Sequence, residues 1–253
     1  MRLAGLAVTF LLVADASISA GAIQLADFRV AQRAYNEADI TVARDALLMR
    51  AGENPADFSA QFEAAECLRI TGSELRTRRQ THRLSGREIK ALKDEQAAWS
   101  EQGLAFAERA AALAKTEEEI AAAHRVYGEL YANSITGMVS GLKNGPKART
   151  HMDEALARTP RDPECRRAIG IMYLNNPPFN GGDINNAIET FAECHNLVPD
   201  NDVYMVLLAM AYQKNRDWEE ALAAVESALA INPANPNAAA LKTAIESRTE
   251  ATE

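Results

Sequence analysis

Apolar residues recur in steps of three and four along most of the chain, which is the spacing of one face of an α-helix. Residues 202–235 show this most clearly, as two such runs separated by a short polar turn and closed by a proline. Small residues at the shared positions let two antiparallel helices approach closely, and larger ones fill the groove between them. The pattern predicts a helical hairpin with contacts at Met205, Leu208, Ala209, Tyr212, Ala221, Val225 and Ala228, closed by Pro233.

Related units precede this hairpin and end at Pro55, Pro160 and Pro199. Their spacing matches the tetratricopeptide repeat (TPR), a helical hairpin of roughly 34 residues. Because a single hairpin cannot bury its apolar face alone, neighbouring hairpins stack into a solenoid. The sequence therefore predicts one all-α TPR solenoid domain over residues 23–250, made of about five hairpins and a polar-faced C-terminal helix at 237–247.

The second unit departs from the plain repeat. Its first helix is expected from Ala56 to Ile70, with Gly72 at the turn, and an insertion of some 25 residues follows. Within the insertion, Ser85 and Glu88 have the spacing of a capping box, in which each side chain satisfies the other's backbone N–H. They predict the start of one long amphipathic helix.

Two of the later turns are widened. The turn at 175–183 is five residues longer than that of the plain hairpin, and the turn at 132–147 is eight residues longer. Phe179, an apolar residue in the first of these, either folds back on its hairpin or stays exposed to bind something. An aspartate recurs at the start of three second helices, where we expect it to cap the helix N-terminus. These residues are Asp39, Asp183 and Asp217.

The N-terminus has the layout of a secretory signal peptide. Arg2 precedes an apolar run from Leu3 to Ala14, and small residues follow. This run is short for a transmembrane helix, which needs roughly 20 residues. We expect residues 1–22 to be removed after Ala22, which would make the protein periplasmic or secreted; a buried N-terminal helix is the alternative.

The chain has a net charge of −8, which excludes a general electrostatic attraction for a nucleic-acid backbone. Against this background, one segment in the second unit is strongly basic. It either docks an acidic partner or anionic headgroups, or forms the solvated face of an inserted helix, which is the simpler interpretation. The basic side chains are Arg76, Arg78, Arg79, Arg83, Arg87 and Lys90.

The three cysteines, Cys67, Cys165 and Cys194, do not have metal-ligand spacing. In an oxidising compartment Cys165 and Cys194 are the better-placed pair, because the repeat puts them near the ends of adjacent helices. Three small, buried helix residues are the simpler interpretation.

The sequence contains no phosphate-binding loop, no His-Glu-x-x-His and none of the other common catalytic motifs. We therefore expect no enzymatic activity, no cofactor and no metal, and we expect His124 to pack within its hairpin. In TPR solenoids the first helices line a concave binding face. That face and the Phe179 turn predict partner or ligand contacts at Phe62, Arg69, Arg125, Glu129, Asn133, Arg167, Ile171, Asn175, Phe179, Met210 and Lys214.

The stretch from His124 to Pro199 resembles the T component associated with TRAP (tripartite ATP-independent periplasmic) transporters. The matching features are HRVYGELYAN, KARTHMDEALARTP and AIGIMYLNNPPFNGGDINNAIETFAECHNLVPDN, with the widened turns among them. The resemblance implies an exported TPR helper that associates with a periplasmic solute-binding subunit and can form homo-oligomers. The widened repeats are also similar to the regulator of microtubule dynamics proteins, which we interpret as shared architecture.

Two functions are open at this point. The protein is either a protein–protein interaction scaffold in the cell envelope, or a transport accessory that binds a small amphiphile on its concave face. Neither function involves nucleic acid or a transmembrane segment.

Overall fold

In the computed structural model, residues 23–250 fold into eleven α-helices and one 3-10 turn, with no strand in that range. The predicted all-α class is therefore confirmed. The expected signal peptide, residues 1–22, lies outside the described residues. The helices are α1 (Leu25–Arg33), α2 (Glu37–Glu53), α3 (Phe58–Thr81), α4 (Gly86–Leu113), α5 (Glu117–Asn133), α6 (Met138–Arg158), α7 (Pro163–Asn175), α8 (Ile184–Leu197), α9 (Asp202–Asn215), α10 (Trp218–Ile231) and α11 (Pro236–Glu250).

The helices pair as five antiparallel hairpins, from α1–α2 to α9–α10, and α11 packs on the last of them. This confirms the predicted five hairpins and terminal helix. Small residues set the spacing between neighbouring helices: a Cβ added at Gly170 would lie 2.6 Å from Cε1 of Phe191 in the same hairpin, and one at Gly103 would lie 2.6 Å from Cδ2 of Leu130 in the next hairpin. Leu130 and Phe191 are themselves fully buried, so close packing occurs both within and between hairpins.

The second hairpin differs from its prediction. Helix α3 continues through Gly72 and ends only at Thr81, so the expected turn at Gly72 was wrong. Gly72 is buried against α5, where an added Cβ would lie 3.1 Å from Nδ2 of Asn133, and this contact explains a glycine inside a helix. The capping box is confirmed, because Ser85 Oγ accepts from the Glu88 N–H at 3.3 Å and Glu88 accepts from the Ser85 N–H at 2.8 Å.

The prediction of a widened turn at 132–147 was also wrong over most of that range. Helix α6 begins at Met138 and runs through Pro146. Proline lacks the N–H that would bond to the carbonyl of Leu142, but Leu142 is 77% exposed and water can satisfy that carbonyl. The turn at 175–183 is confirmed: it holds a 3-10 turn, Pro178–Asn180, and then Gly181 at φ 81°, a conformation that favours glycine.

Of the three predicted aspartate caps, only Asp183 is fully confirmed, since its side chain accepts from the N–H groups of Asn185 and Asn186. Asn36 caps α2 instead of Asp39, which lies inside the first turn and accepts from the Asn36 amide at 2.7 Å. Asp217 occupies the N-cap position of α10 without a capping hydrogen bond from its side chain. An asparagine nearer the turn can therefore take the capping role from an aspartate.

Helix α11 joins the two ends of the array. Its apolar face, which includes the fully buried Leu241 and Ile245, covers the last hairpin as predicted. It also packs on α3, where Asn237 donates to Glu74. Just before α11, the amide of Asn232 donates to the Arg33 carbonyl at the end of α1, at 3.2 Å. The first and last hairpins are thus in direct contact, which the repeat pattern does not predict.

Candidate functional site

The first helices α3, α5, α7 and α9 lie side by side, as the concave face of a solenoid requires. Four of the predicted contact residues on this face are charged and buried, with 4 to 6% of their surface exposed. Charged groups cost free energy to bury unless they are paired and hydrogen-bonded. These four residues are Arg69, Arg125, Glu129 and Arg167.

Their charges pair with one another across three helices. Glu129 on α5 accepts from Arg167 on α7 at 2.7 and 2.8 Å and from Arg125 at 2.9 Å. Glu66 on α3 accepts from Arg69 at 2.8 and 2.9 Å and from Arg125 at 3.3 Å. Arg69 also reaches Glu129 at 3.3 Å. We call these five residues the buried charge cluster.

Two further residues extend the buried charge cluster at its edges. Glu164 at the start of α7 pairs with Arg167 at 3.1 Å, and Arg29 of α1 pairs with Glu66 at 3.1 Å. The concave-face positions did not predict either of them, because Glu164 precedes those positions and Arg29 comes from a different hairpin. Their signal in the sequence is only that of unpaired charges near the ends of amphipathic helices.

The cluster keeps its carboxylates ionised. Burial alone would raise the pKa of Glu66, but Arg125 and Arg69 outweigh it and hold the pKa well below its usual range. Burial also opposes ionisation at Glu129, where Arg167 and Arg69 again lower the pKa. The same balance lowers the pKa of Glu164 to about 2. The cluster therefore ties the second, third and fourth hairpins together by charge at neutral pH.

The other predicted contacts have varied surroundings. Met210 is buried, while Phe62 is half-buried and stacks on Phe58 at 5.6 Å between ring centroids. Ile171 is half-buried against the C-terminal core. Asn133 is buried and donates to the Arg69 carbonyl at 3.1 Å. Two residues are exposed at helix ends, where Asn175 accepts from Gln80 and Lys214 donates to the Leu174 carbonyl.

A cavity of about 410 Å³ lies between α1 and the first helices α3, α7 and α9. We call it the α1 cleft. Its floor includes Arg69 and Arg167 of the buried charge cluster. Its rim carries exposed Val30 and Val203, 69% and 41% exposed, beside the half-exposed Arg29. The cleft thus combines apolar side chains with guanidinium groups, the mixture that protein interfaces favour at their centres.

Comparison with known proteins identifies the repeat. Residues 181–245 match the tetratricopeptide repeat family model. The fold is a TPR solenoid. A thermophilic TPR protein from Thermus thermophilus is similar in structure, with a TM-score of 0.59, 16% identity and 87% of this chain aligned to 97% of that one. A chain of the APC/C hetero-tetramer Cut9–Hcn1 has a TM-score of 0.58 and 15% identity, with 89% of this chain covering 37% of that chain. Among curated proteins, no sequence matches the chain significantly.

The three cysteines of the TPR solenoid are free and buried. Cys165 Sγ lies 3.3 Å from the Thr159 hydroxyl, and Cys194 Sγ lies 3.4 Å from the Pro163 carbonyl. Burial raises the pKa of Cys165 to about 11 and that of Cys194 to about 12. The thiols behave as small packed residues of the helices, which was the simpler of the two interpretations.

A second polar cluster of the TPR solenoid lies in the groove of the third hairpin. His124 and His151 face each other with 3.1 Å between their Nδ1 atoms, and Tyr127 stacks on His151 at 4.2 Å between ring centroids. Burial lowers the pKa of both histidines, so both are neutral at neutral pH. His124 therefore packs within its hairpin, as expected. Residues 23–248 contain no group of three or more His, Cys, Asp or Glu side chains arranged to hold a metal ion.

Phe179 does not fold back on its hairpin, since 92% of its surface is exposed. Three residues in the first turns of α6 are also exposed: Met138, Val139 and Leu142, at 85%, 82% and 77%. The TPR solenoid therefore presents large apolar side chains away from its concave face. A role for Phe179 in binding stays a prediction.

Proposed function

We propose that the protein is an exported TPR scaffold that binds a segment of a protein partner in the α1 cleft. One observation carries this proposal: the cleft is the place on the concave side where exposed apolar side chains and available guanidinium groups lie together. These guanidinium groups belong to Arg29 and Arg33, because Arg69 and Arg167 on the floor of the cleft bond to carboxylates of the buried charge cluster. The partner segment that fits this chemistry carries an apolar side chain next to a carboxylate.

The cleft is well placed to select such a segment. Val30 on α1 and Val203 on α9 both line the cleft, so an apolar side chain bound there would lose water against two helices. Arg33, at the end of α1, is exposed and donates to the Asp200 carbonyl at 3.1 Å, which leaves further guanidinium N–H groups for a ligand carboxylate.

The finer part of the proposal concerns location and partner. The apolar N-terminal run supports export to the periplasm, and the resemblance of residues 124–199 to TRAP T components supports association with a solute-binding subunit. Within the described residues, no helix is long and apolar enough to cross a bilayer.

Capture of partners from an envelope fraction tests the proposal. Val30→Asp and Val203→Asp place a charge on each rim of the cleft without disturbing the core, because both side chains are exposed. The matched control is Val42→Asp on α2, which is 55% exposed and does not line the cleft. We expect partners to be lost with both cleft variants and kept with the control.

Four outcomes have distinct meanings. Unchanged capture by both cleft variants contradicts the cleft as the binding site. Recovery of a solute-binding subunit supports the TRAP association, whereas recovery of envelope-assembly proteins alone contradicts it and leaves the scaffold function intact. A protein found in the cytoplasm of the producing cell, with residues 1–22 retained, contradicts export.

The volume of the α1 cleft favours a second candidate, the binding of a small amphiphile. A cavity of about 410 Å³ falls within the range of small-molecule sites, roughly 300–1,000 Å³. Native mass spectrometry of the purified protein should then show a bound small molecule that Val30→Asp abolishes. A mass equal to that of the chain alone contradicts this second function.

A further inference from the structure

The turns inside the hairpins lie along one edge of the solenoid, which we call the turn edge. The ends of the first helices are joined there: Arg76 of α3 donates to the Ala132 carbonyl of α5, and Gln80 of α3 donates to Asn175 of α7 at 2.8 Å. The turn of the fourth hairpin packs against α6 of the third, because a Cβ added at Gly181 would lie 3.7 Å from Nη1 of Arg149. The three turns of hairpins two to four are therefore neighbours.

The turn edge exposes large apolar residues. Met138, Val139 and Leu142 project from the first turns of α6, and Phe179 projects from the adjacent turn. All four are at least 77% exposed. Several large apolar side chains exposed along one edge of a folded protein indicate a contact surface. Because these residues stand on projecting turns and not in a groove, they suit insertion into a partner better than enclosure of one.

The same edge is basic in an acidic protein. Residues 76–95 and 134–153 together contain ten Lys and Arg residues and four Asp and Glu residues, a surplus of six positive charges, whereas the whole chain has a net charge of −8. Arg83 and Arg87 are exposed and form no ion pair with another side chain of residues 23–248, and Lys143 is exposed beside Leu142 in the chain. Positive side chains therefore lie on the same edge as the apolar tips.

We infer that the turn edge docks on the surface of an anionic lipid bilayer, with Phe179, Met138, Val139 and Leu142 inserted among the headgroups. Apolar side chains that reach the boundary between headgroups and acyl chains, combined with Lys and Arg next to them, are the two contributions that peripheral membrane binding needs. The complement of this positive edge is a negative surface, and a bilayer is also soft enough to accept separate projecting tips. The inference is independent of the α1 cleft, which lies on the concave side.

Co-sedimentation of the purified protein with vesicles tests it. One set of vesicles is phosphatidylcholine alone, and the other is phosphatidylcholine mixed with an equal part of phosphatidylglycerol. We expect binding to the anionic vesicles, weaker binding at high salt, and little binding to phosphatidylcholine alone. Equal binding to both, or no binding to either, overturns the inference.

Variants separate the apolar contribution to vesicle binding from the electrostatic one. We expect Phe179→Ala with Leu142→Ala, and Arg83→Glu with Lys143→Glu, each to lower partitioning on the anionic vesicles by at least about tenfold. The apolar control is Val42→Ala with Met49→Ala on α2, both exposed and away from the turn edge. The charge control is Lys115→Glu with Arg161→Glu, which lie on exposed loops between hairpins, at the opposite edge.

The controls must bind vesicles as the unchanged protein does; an equal loss in the controls overturns the inference. Sedimentation velocity without lipid tests self-association through the same patch. A dimer that dissociates in Phe179→Ala would identify a second copy of the chain as the occupant, and would overturn the membrane assignment. Partner capture by the α1 cleft variants is unaffected by any of these results.

Discussion

Arg167 of α7 donates two hydrogen bonds to the carboxylate of Glu129 on α5, at 2.7 and 2.8 Å, in the interior of the protein. Both residues belong to positions that face a partner in an open TPR array. Here the neighbouring helices satisfy them, and our proposal assigns partner binding to the α1 cleft instead. The concave face of this solenoid is therefore partly a structural core built from charges.

Removing one charge from this cluster should be costly. Glu129→Gln leaves Arg167 buried without its main counter-charge and removes one of the two carboxylates that pair with Arg125, so we expect it to lower the free energy of unfolding by about 3 kcal/mol. The control is Glu193→Gln, whose partner Arg166 lies at the surface, where an ion pair contributes roughly 0–1 kcal/mol. Urea unfolding of the two variants measures the difference; equal effects would contradict a structural role for the buried charge cluster.

The cluster also predicts sensitivity to acid. Its carboxylates have pKa values below the ordinary 4.5 in the folded protein, so they bind protons less readily when folded than when unfolded. Their contribution is complete above pH 4.5 and is lost as the pH falls through the folded-state values. We expect the urea midpoint to fall below that pH, and to fall less steeply in Glu129→Gln. A pH-independent midpoint would contradict the prediction.

Glu74 predicts the opposite dependence of stability on pH. It lies between α3 and α11; burial raises its pKa, Asn237 partly offsets this and Asp202 adds to it. Because the folded-state pKa is above 4.5, the ionised side chain destabilises the protein once the pH rises through the folded value. Glu74→Gln keeps an acceptor for Asn237 without the charge. We expect it to stabilise the protein by about 1 kcal/mol.

Thermal unfolding of Glu74→Gln at two pH values checks this prediction. The variant should melt higher than the unchanged protein at pH 8, and the gap should narrow at pH 4, where the carboxyl of Glu74 is largely protonated in both states. A variant that melts lower than the unchanged protein at pH 8 would contradict the prediction and show that Glu74 stabilises the contact with α11 as an anion.

The close packing of the fourth hairpin predicts a position-specific effect of alanine. Gly170→Ala places a methyl group 2.6 Å from the fully buried ring of Phe191, so the helices must separate, at a cost of about 1–3 kcal/mol. Gly52→Ala in α2 meets no atom within 4 Å and should be neutral or slightly stabilising, because alanine favours helix. Chemical denaturation of both variants provides the test.

The thiols should be inert in the folded protein. Burial raises the pKa of all three cysteines, and a thiol reagent reacts with the thiolate. We expect slow labelling under native conditions and labelling of all three in denaturant without a reductant. Fewer than three reactive thiols in denaturant would reveal a disulfide and contradict the free cysteines of the structure.

The hairpins were predictable because their signal is local. Ala221, Val225 and Ala228 form one face of a helix within eight consecutive residues, and the partner helix lies immediately before it. Asp183 was predictable as a cap for the same reason. Gly72 was misinterpreted because its burial depends on Asn133, which is distant in the chain, whereas a glycine between two helical segments is locally a turn signal.

The repeat positions identified the residues of the concave face, but they did not predict which side chains surround those residues. Nothing in the spacing of Arg69, Arg125 and Arg167 indicates that they meet carboxylates from neighbouring hairpins and not from a partner. That distinction depends on how tightly successive hairpins stack and on Arg29, which the first hairpin brings to the cluster. Such contacts are properties of the assembled array.

The contact of α11 with α3 has a consequence for how this protein can change over time. Open repeat arrays grow or shrink readily by duplicating or deleting units, because each unit contacts only its neighbours. Here the hydrogen bond from Asn237 to Glu74 links residues 163 positions apart, between the terminal helix and the second hairpin. One added or deleted hairpin would move these residues out of reach. The contact between α11 and α3 therefore constrains the number of hairpins, and changes in chain length are expected in the turns instead.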